Sequence, residues 1–159
     1  MADSIVKQVI REVEPLRAEA TVGEAARRLL ETELPGLPVV EASGAFAGIF
    51  GEREFMTALF PGYVGALASA AMVPRSLDET IERRADVATQ PVRDWLTTDH
   101  VLVEDSYSDL QLAETFLHHR VLVVPIATAG RVHAVVTRAD FFRSLVERVD
   151  FAPPGSSQG

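Results

Sequence analysis

Few residues of this 159-residue chain could do chemistry, and spacing excludes most of them. There is no cysteine, which removes disulfides, thiolate nucleophiles and sulfur-held metals together. The four histidines, His100, His118, His119 and His133, do not form a three-ligand metal-binding motif with carboxylates. His118 and His119 are adjacent, so on a helix they diverge by about 100° and cannot share an ion as an i, i+4 pair would. Neither a G-x-S-x-G segment nor a P-loop occurs, and Gly44, Gly48 and Gly51 do not form a dinucleotide-binding fingerprint. No catalytic carboxylate pair stands out, so the chain reads as a non-enzyme with neither catalytic nor metal-binding residues. What remains is Thr137-Arg138-Ala139-Asp140, a hydroxyl and a carboxylate three residues apart where an apolar run passes into a helical pattern. That spacing is close to a capping box, so the segment is also a plausible helix start.

The elements that must position this segment come in two copies, offset by 86 to 87 residues. Thr21 with Glu24, and Ser108 with Gln111, have the spacing of capping boxes, and each is followed by apolar residues on one helical face. Loss of such an N-cap side chain costs about 0.5–2 kcal/mol. Pro38 and Pro125 then open β-branched apolar runs, Gly44 and Gly130 supply turns, and a second apolar run follows each turn. Each copy closes on an acid and an aromatic, Glu54-Phe55 and Asp140-Phe141. A unit therefore reads strand, helix, strand, turn, strand, helix, with leading strands near Glu14–Arg17 and Val101–Glu104. At roughly 55 residues neither unit can bury its sheet alone, but two stacked together can.

The organisation this predicts is repeat one over 4–60, a helical connection over 61–90, repeat two over 91–149 and a linker-like tail over 150–159. Within the connection, Gly65–Met72 is rich in small residues suited to close helix packing. Ser76 and Glu79 open a charged helix reaching about Ala88, and Pro91 suits a first helical position. Trp95, the one tryptophan, reads as core or interface filler. Phe55-Met56 and Phe141-Phe142 each place one side chain toward the core and one outward.

Fifteen Lys and Arg against 23 Asp and Glu leave a formal charge of −8, which repels phosphate backbones and anionic membranes at long range. No nucleic-acid or membrane partner is expected. The least polar stretch, Val64–Val73, is about half the twenty residues that a bilayer requires. The N-terminus lacks the blocks of a signal peptide, and a cytoplasmic location is expected.

The repeated pattern resembles a tandem pair of CBS domains (a Bateman module). It is carried by Pro38-Val39-Val40, Gly44 and Gly48-Ile49-Phe50 in repeat one. In repeat two the matching residues are Pro125-Ile126, Gly130, Ala134-Val135-Val136 and Thr137-Arg138-Ala139-Asp140. The resemblance implies an α/β (α+β) fold of two β-α-β-β-α repeats packed sheet to sheet with pseudo-twofold symmetry. It also implies a stand-alone regulatory module, assembled as a homodimer, that binds AMP, ADP, ATP or S-adenosylmethionine between the repeats and signals to an effector protein. Asp140 would then accept the ribose hydroxyls, while Thr137, the amides after it and Arg138 would meet a phosphate. The adenine would lie near Leu16, Leu37, Pro38, Val121 and Val123. Repeat one departs from the pattern: Gly51-Glu52-Arg53-Glu54 lacks the hydroxyl and adds a negative charge, so its cleft is expected to be empty rather than to take an uncharged part of a ligand. Pro35-Gly36-Leu37 and Leu122-Val123-Val124 stand where many nucleotide-binding members carry basic residues, which keeps a nucleoside or S-adenosylmethionine beside the nucleotides as candidates. The alternative is a ligand-free dimerisation or interaction scaffold.

Overall fold

The structure is a computed structural model and describes residues 4–60, 76–98, 101–104 and 106–149. The small-residue stretch after Pro61 and the tail from residue 150 lie outside the described residues. In chain order the first half comprises α1 (Ile5–Val9), β1 (Arg11–Glu12), β2 (Leu16–Arg17), α2 (Val22–Thr32), β3 (Gly36–Val40), β4 (Phe46–Gly51) and α3 (Glu52–Leu59). Then come α4 (Leu77–Arg83) and two 3-10 turns, Ala85–Thr89 and Val92–Trp95. The second half comprises β5 (Val103–Glu104), α5 (Asp109–His118), β6 (Val123–Thr128), β7 (Arg131–Thr137) and α6 (Arg138–Arg148).

Both capping boxes form. Thr21 accepts the Glu24 amide at 3.1 Å while Glu24 accepts the Thr21 amide at 3.0 Å, and Ser108 and Gln111 repeat the pair at the same distances. Each box fixes the start of the helix that covers its own sheet. The sheets are β2-β3-β4 and β1-β7-β6-β5. In each, the leading strand runs parallel to the next and a hairpin follows. Both hairpins shift register at the equivalent step, Val39/Val40 and Ile126/Ala127. The sheets meet where Leu37 and Phe50 share one buried cluster with Val123 and Val135.

The repeats exchange their opening segments. Ile5 and Val6 are buried not with repeat one but with Val103, Leu112, Val124 and Ile126. β1 pairs antiparallel with β7, setting Arg11 opposite Val135. Reciprocally, Val92 is buried in the repeat-one cluster, and Thr97 bridges Ile49. These are equivalent contacts, since residues 11 and 97, and 135 and 49, are each 86 apart. Asp109, the first residue of α5, holds the N-terminal segment in place: its carboxylate accepts the Ser4 hydroxyl and the Ile5 and Val6 amides at 2.8–2.9 Å. It thereby satisfies donors that the start of α1 would otherwise leave unpaired.

Three local expectations need correction. The leading strands are two residues each, and the charged helix ends at Arg83, giving way to a 3-10 turn. Pro91 stands one residue before the second turn with ψ of 143°, outside the helical region. The cause is tertiary: Val22 N–H donates to Gln90 and Val92 N–H to Ala20, so this stretch is held extended against the entry to α2.

Two glycines make close approaches possible. Gly48 has φ of 155°, and a Cβ there would stand 2.6 Å from the Thr97 carbonyl oxygen, so its lack of a side chain admits the exchanged segment. A Cβ on Gly51 would overlap the Pro35 carbonyl and lie 3.0 Å from Gly36 Cα. Gly51→Ala is expected to cost about 1–3 kcal/mol through this backbone overlap, read as a lower urea midpoint at unchanged m. Asp109→Ala, which strips the acceptor from two backbone amides, is expected to cost about 1–3 kcal/mol in the same assay.

Candidate functional site

The exchange builds two related grooves between the repeats. The strand end β7 and helix start α6 bring Thr137, Arg138 and Asp140 to one of them, a groove of about 500 Å³ closed on the repeat-one side by Glu33, Pro35 and Glu52. Thr137 is buried and serves as N-cap of α6, its hydroxyl oxygen accepting the Asp140 amide at 3.1 Å. The Arg138 amide donates to the Leu122 carbonyl at 2.9 Å. The hydroxyl and the first amide of the segment thus both carry structural bonds.

Arg11, which the sequence reading did not single out, is the main partner of Asp140. Its Nε donates to one carboxylate oxygen at 2.7 Å and its Nη2 to the other at 3.0 Å. Arg143 stands 4.0 Å away. The Asp140 side chain is 14% exposed and the Arg11 side chain 45%, so the acid is sheltered while the guanidinium reaches the groove mouth. Desolvation pushes the Asp140 pKa up. The hydrogen bonds from Arg11 and Thr137 and the positive charges of Arg11 and Arg143 outweigh it and hold the carboxyl below its usual range.

The other groove, of about 270 Å³, lies at the equivalent place in repeat one. Ile49, Met56, Val101, Val121 and Val123 give it aliphatic walls around Glu54. Thr97 occupies the position equivalent to Arg11. The result is electrostatically opposite. Burial raises the Glu54 pKa, and hydrogen bonds from the Thr97 side chain and the Gly51 backbone, together with the Arg53 charge, only partly offset that. The shared wall of Pro35, Glu52 and Leu122 separates the two grooves.

The residues assigned to adenine do not all come together. Val121 and Val123 line the Glu54 groove, not the Asp140 groove. Leu37 and Pro38 are sealed in the core, because both faces of β3 are covered. Leu16 is buried at the edge of a separate groove beside α2. The repeat-one cleft is a formed groove as well. Arg11 and Thr97 left one signal in the sequence, their 86-residue separation, but their unlike side chains hid it.

Phe141 is buried against Phe116 while Phe142 is 65% exposed, and Trp95 is half-buried with its indole N–H donated to Gln90. Among the described residues there is no group of three His, Asp or Glu able to hold a metal, and no helix long and apolar enough to cross a membrane.

Residues 6–61 match the CBS domain family. No curated protein matches the chain. Among solved structures, a CBS-domain-containing protein of Agrobacterium tumefaciens is 23% identical, with a TM-score of 0.61 over 89% of this chain and 95% of that one. A CBS-domain-containing protein of Kribbella flavida is 21% identical, with a TM-score of 0.67 over 87% and 96%. CBSX2 in complex with AMP is 19% identical, with a TM-score of 0.64 over 91% and 98%; CBSX2 is a CBS-pair protein of Arabidopsis thaliana. Residues 6–61 thus match a CBS domain, and the chain as a whole has the fold of a CBS pair.

The shift of Glu54 has a signed consequence. Its pKa is raised on folding, so the folded state binds the proton more tightly. Stability is then lost as pH climbs through the glutamate range toward the raised value, and the loss persists at neutral pH. Glu54→Gln, which keeps the shape but cannot ionise, is expected to be more stable than the wild type at pH 7, with the difference fading in acid. Urea unfolding across pH 3.5–7.5 (an assay window of about four units, set around the ordinary carboxylate range) reads this directly.

Proposed function

We propose that this protein is a regulatory binding module, not an enzyme, that takes an adenosine-containing ligand in the Asp140 groove and passes the change in shape to an effector protein, acting as a homodimer. Asp140 is the observation that carries the reading. It is an ionised carboxylate at a groove between repeats, with three arginines, Arg11, Arg138 and Arg143, lining the same space. An ionised carboxyl has about four lone-pair sites. Arg11 and Thr137 do not use all of them, so the carboxylate keeps acceptor capacity for a ribose hydroxyl. The cations suit a phosphate, and the AMP complex of CBSX2 supports adenosine chemistry in this fold.

A second reading, a ligand-free dimerisation or interaction scaffold, draws on two observations. Both oxygens of Asp140 already have a partner, and the equivalent residues Leu30 and Leu117 stand 81% and 82% exposed.

Binding to the folded state alone stabilises it by about 2.7 kcal/mol at a hundredfold excess of ligand over Kd. A thermal-shift comparison of AMP, ATP, S-adenosylmethionine and adenosine is expected to give a rise in Tm with at least one, abolished in Asp140→Ala. No rise with any of the four, or equal rises in wild type and variant, would favour the scaffold.

A further inference from the structure

Residues 4–12 have little structure of their own. α1 is five residues long, too short to hold a helix alone in water, and Ser4 at its N-cap gives it no side-chain bond. The cap is borrowed from repeat two, where the Asp109 carboxylate accepts the Ser4 hydroxyl and the Ile5 and Val6 amides at 2.8–2.9 Å. Just past the helix the segment meets a second carboxylate of repeat two, Asp140, which accepts from Nε and Nη2 of Arg11. Between these two clamps Ile5 and Val6 are buried on repeat two, and β1 adds a ladder of only two residues. The reciprocal segment in repeat one is fastened differently. Backbone bonds hold it: Val22 N–H to Gln90, Val92 N–H to Ala20, Arg93 N–H to Ala18, and Thr97 with Ile49 in both directions. Those bonds involve no side chain, whereas Asp140 lines a groove where another donor can take it.

We infer that residues 4–12 are a strap, clamped at both ends by carboxylates of repeat two, that loosens as one unit when a ligand takes Asp140. A donor that draws off an Asp140 oxygen weakens a two-pronged bond whose strength lies in its geometry. Without that clamp the short ladder and the five-residue helix must hold the segment together, and α1 cannot persist undocked. Loss at Arg11 therefore travels to the Asp109 end, only six residues away. The strap converts occupancy of the groove into exposure of residues 4–12 and of the apolar surface beneath them, around Leu112 and Phe141. That is a change of shape a second protein can read. The release step rests on the proposed function, but the two clamps do not.

Hydrogen–deuterium exchange of the full chain, read by mass spectrometry in peptides covering residues 4–13 and 123–136, tests it. In the wild type the strap is expected to exchange faster than the β6–β7 hairpin, as a segment does that opens ahead of the rest of the fold. Arg11→Ala should speed exchange about tenfold across residues 4–13, the Asp109 end included, in keeping with the loss of a charge-assisted bond. Asp109→Ala should act across the same span. With saturating AMP as the probe, the strap should exchange faster while residues 137–143 at the groove slow. A strap as protected as the hairpin, or an Arg11→Ala effect confined to residues 10–13, would overturn the inference. So would AMP that slows the groove residues and leaves the strap unchanged or slower, a result under which the proposed function stands. If AMP alters neither segment, the proposed function fails for this nucleotide and the release step falls with it.

Discussion

The reciprocal exchange of opening segments is the constraint on which the rest of the molecule depends. A unit of about 55 residues exposes too much apolar surface to stand alone. Here each unit completes its core with side chains from the other: Ile5 and Val6 fill repeat two, and Val92 fills repeat one. The exchange requires the chain to cross between sheets twice. At each crossing one residue, Arg11 or Thr97, is laid against the strand that leads into the other repeat's acidic residue. The grooves are therefore by-products of the same contacts that close the cores. Asp109 ties this together by capping the N-terminal segment from the start of α5, so one carboxylate serves two elements far apart in the chain.

Duplication gave the two grooves one geometry, and two substitutions gave them opposite electrostatics. Arginine beside Asp140 keeps an acid ionised in a sheltered place. Threonine beside Glu54 supplies a hydrogen bond but no charge, and desolvation prevails. At Asp140 the hydrogen bonds and charge of Arg11 help outweigh burial, whereas at Glu54 burial prevails over the Thr97 hydrogen bond and the Arg53 charge. The repeat-one groove sets aliphatic side chains, Arg53 and Arg120 around an acid whose pKa is raised, whereas the repeat-two groove gathers Arg11, Arg138 and Arg143 around one whose pKa is lowered.

Much of the architecture was legible from local rules. Capping boxes at Thr21 and Ser108 and turn glycines act within a few residues, so their spacing alone predicts their role, whereas Pro38 and Pro125 stand third in their strands and do not open them. The acid-aromatic ending of each repeat also reads correctly, with Phe141 inward and Phe142 outward. The readings that failed concern residues whose fate depends on a distant partner. Leu37 and Pro38 have the apolar character of a base-binding wall, but both faces of the strand that carries them are covered. Pro91 has the character of a first helical residue, but bonds to Ala20 and Val22 hold that stretch extended.

The amino-acid order by itself determined the twofold repeat, the sequence of elements in each copy and the segment Thr137–Asp140, because caps, turns and hydrophobic periodicity are properties of neighbouring residues. Only the tertiary structure decided that Asp140 meets Arg11, 129 positions away, and that Glu54 meets Thr97. Those meetings follow from which sheet each opening segment joins, and that choice is made by burial of apolar surface across the whole molecule, which no local spacing records.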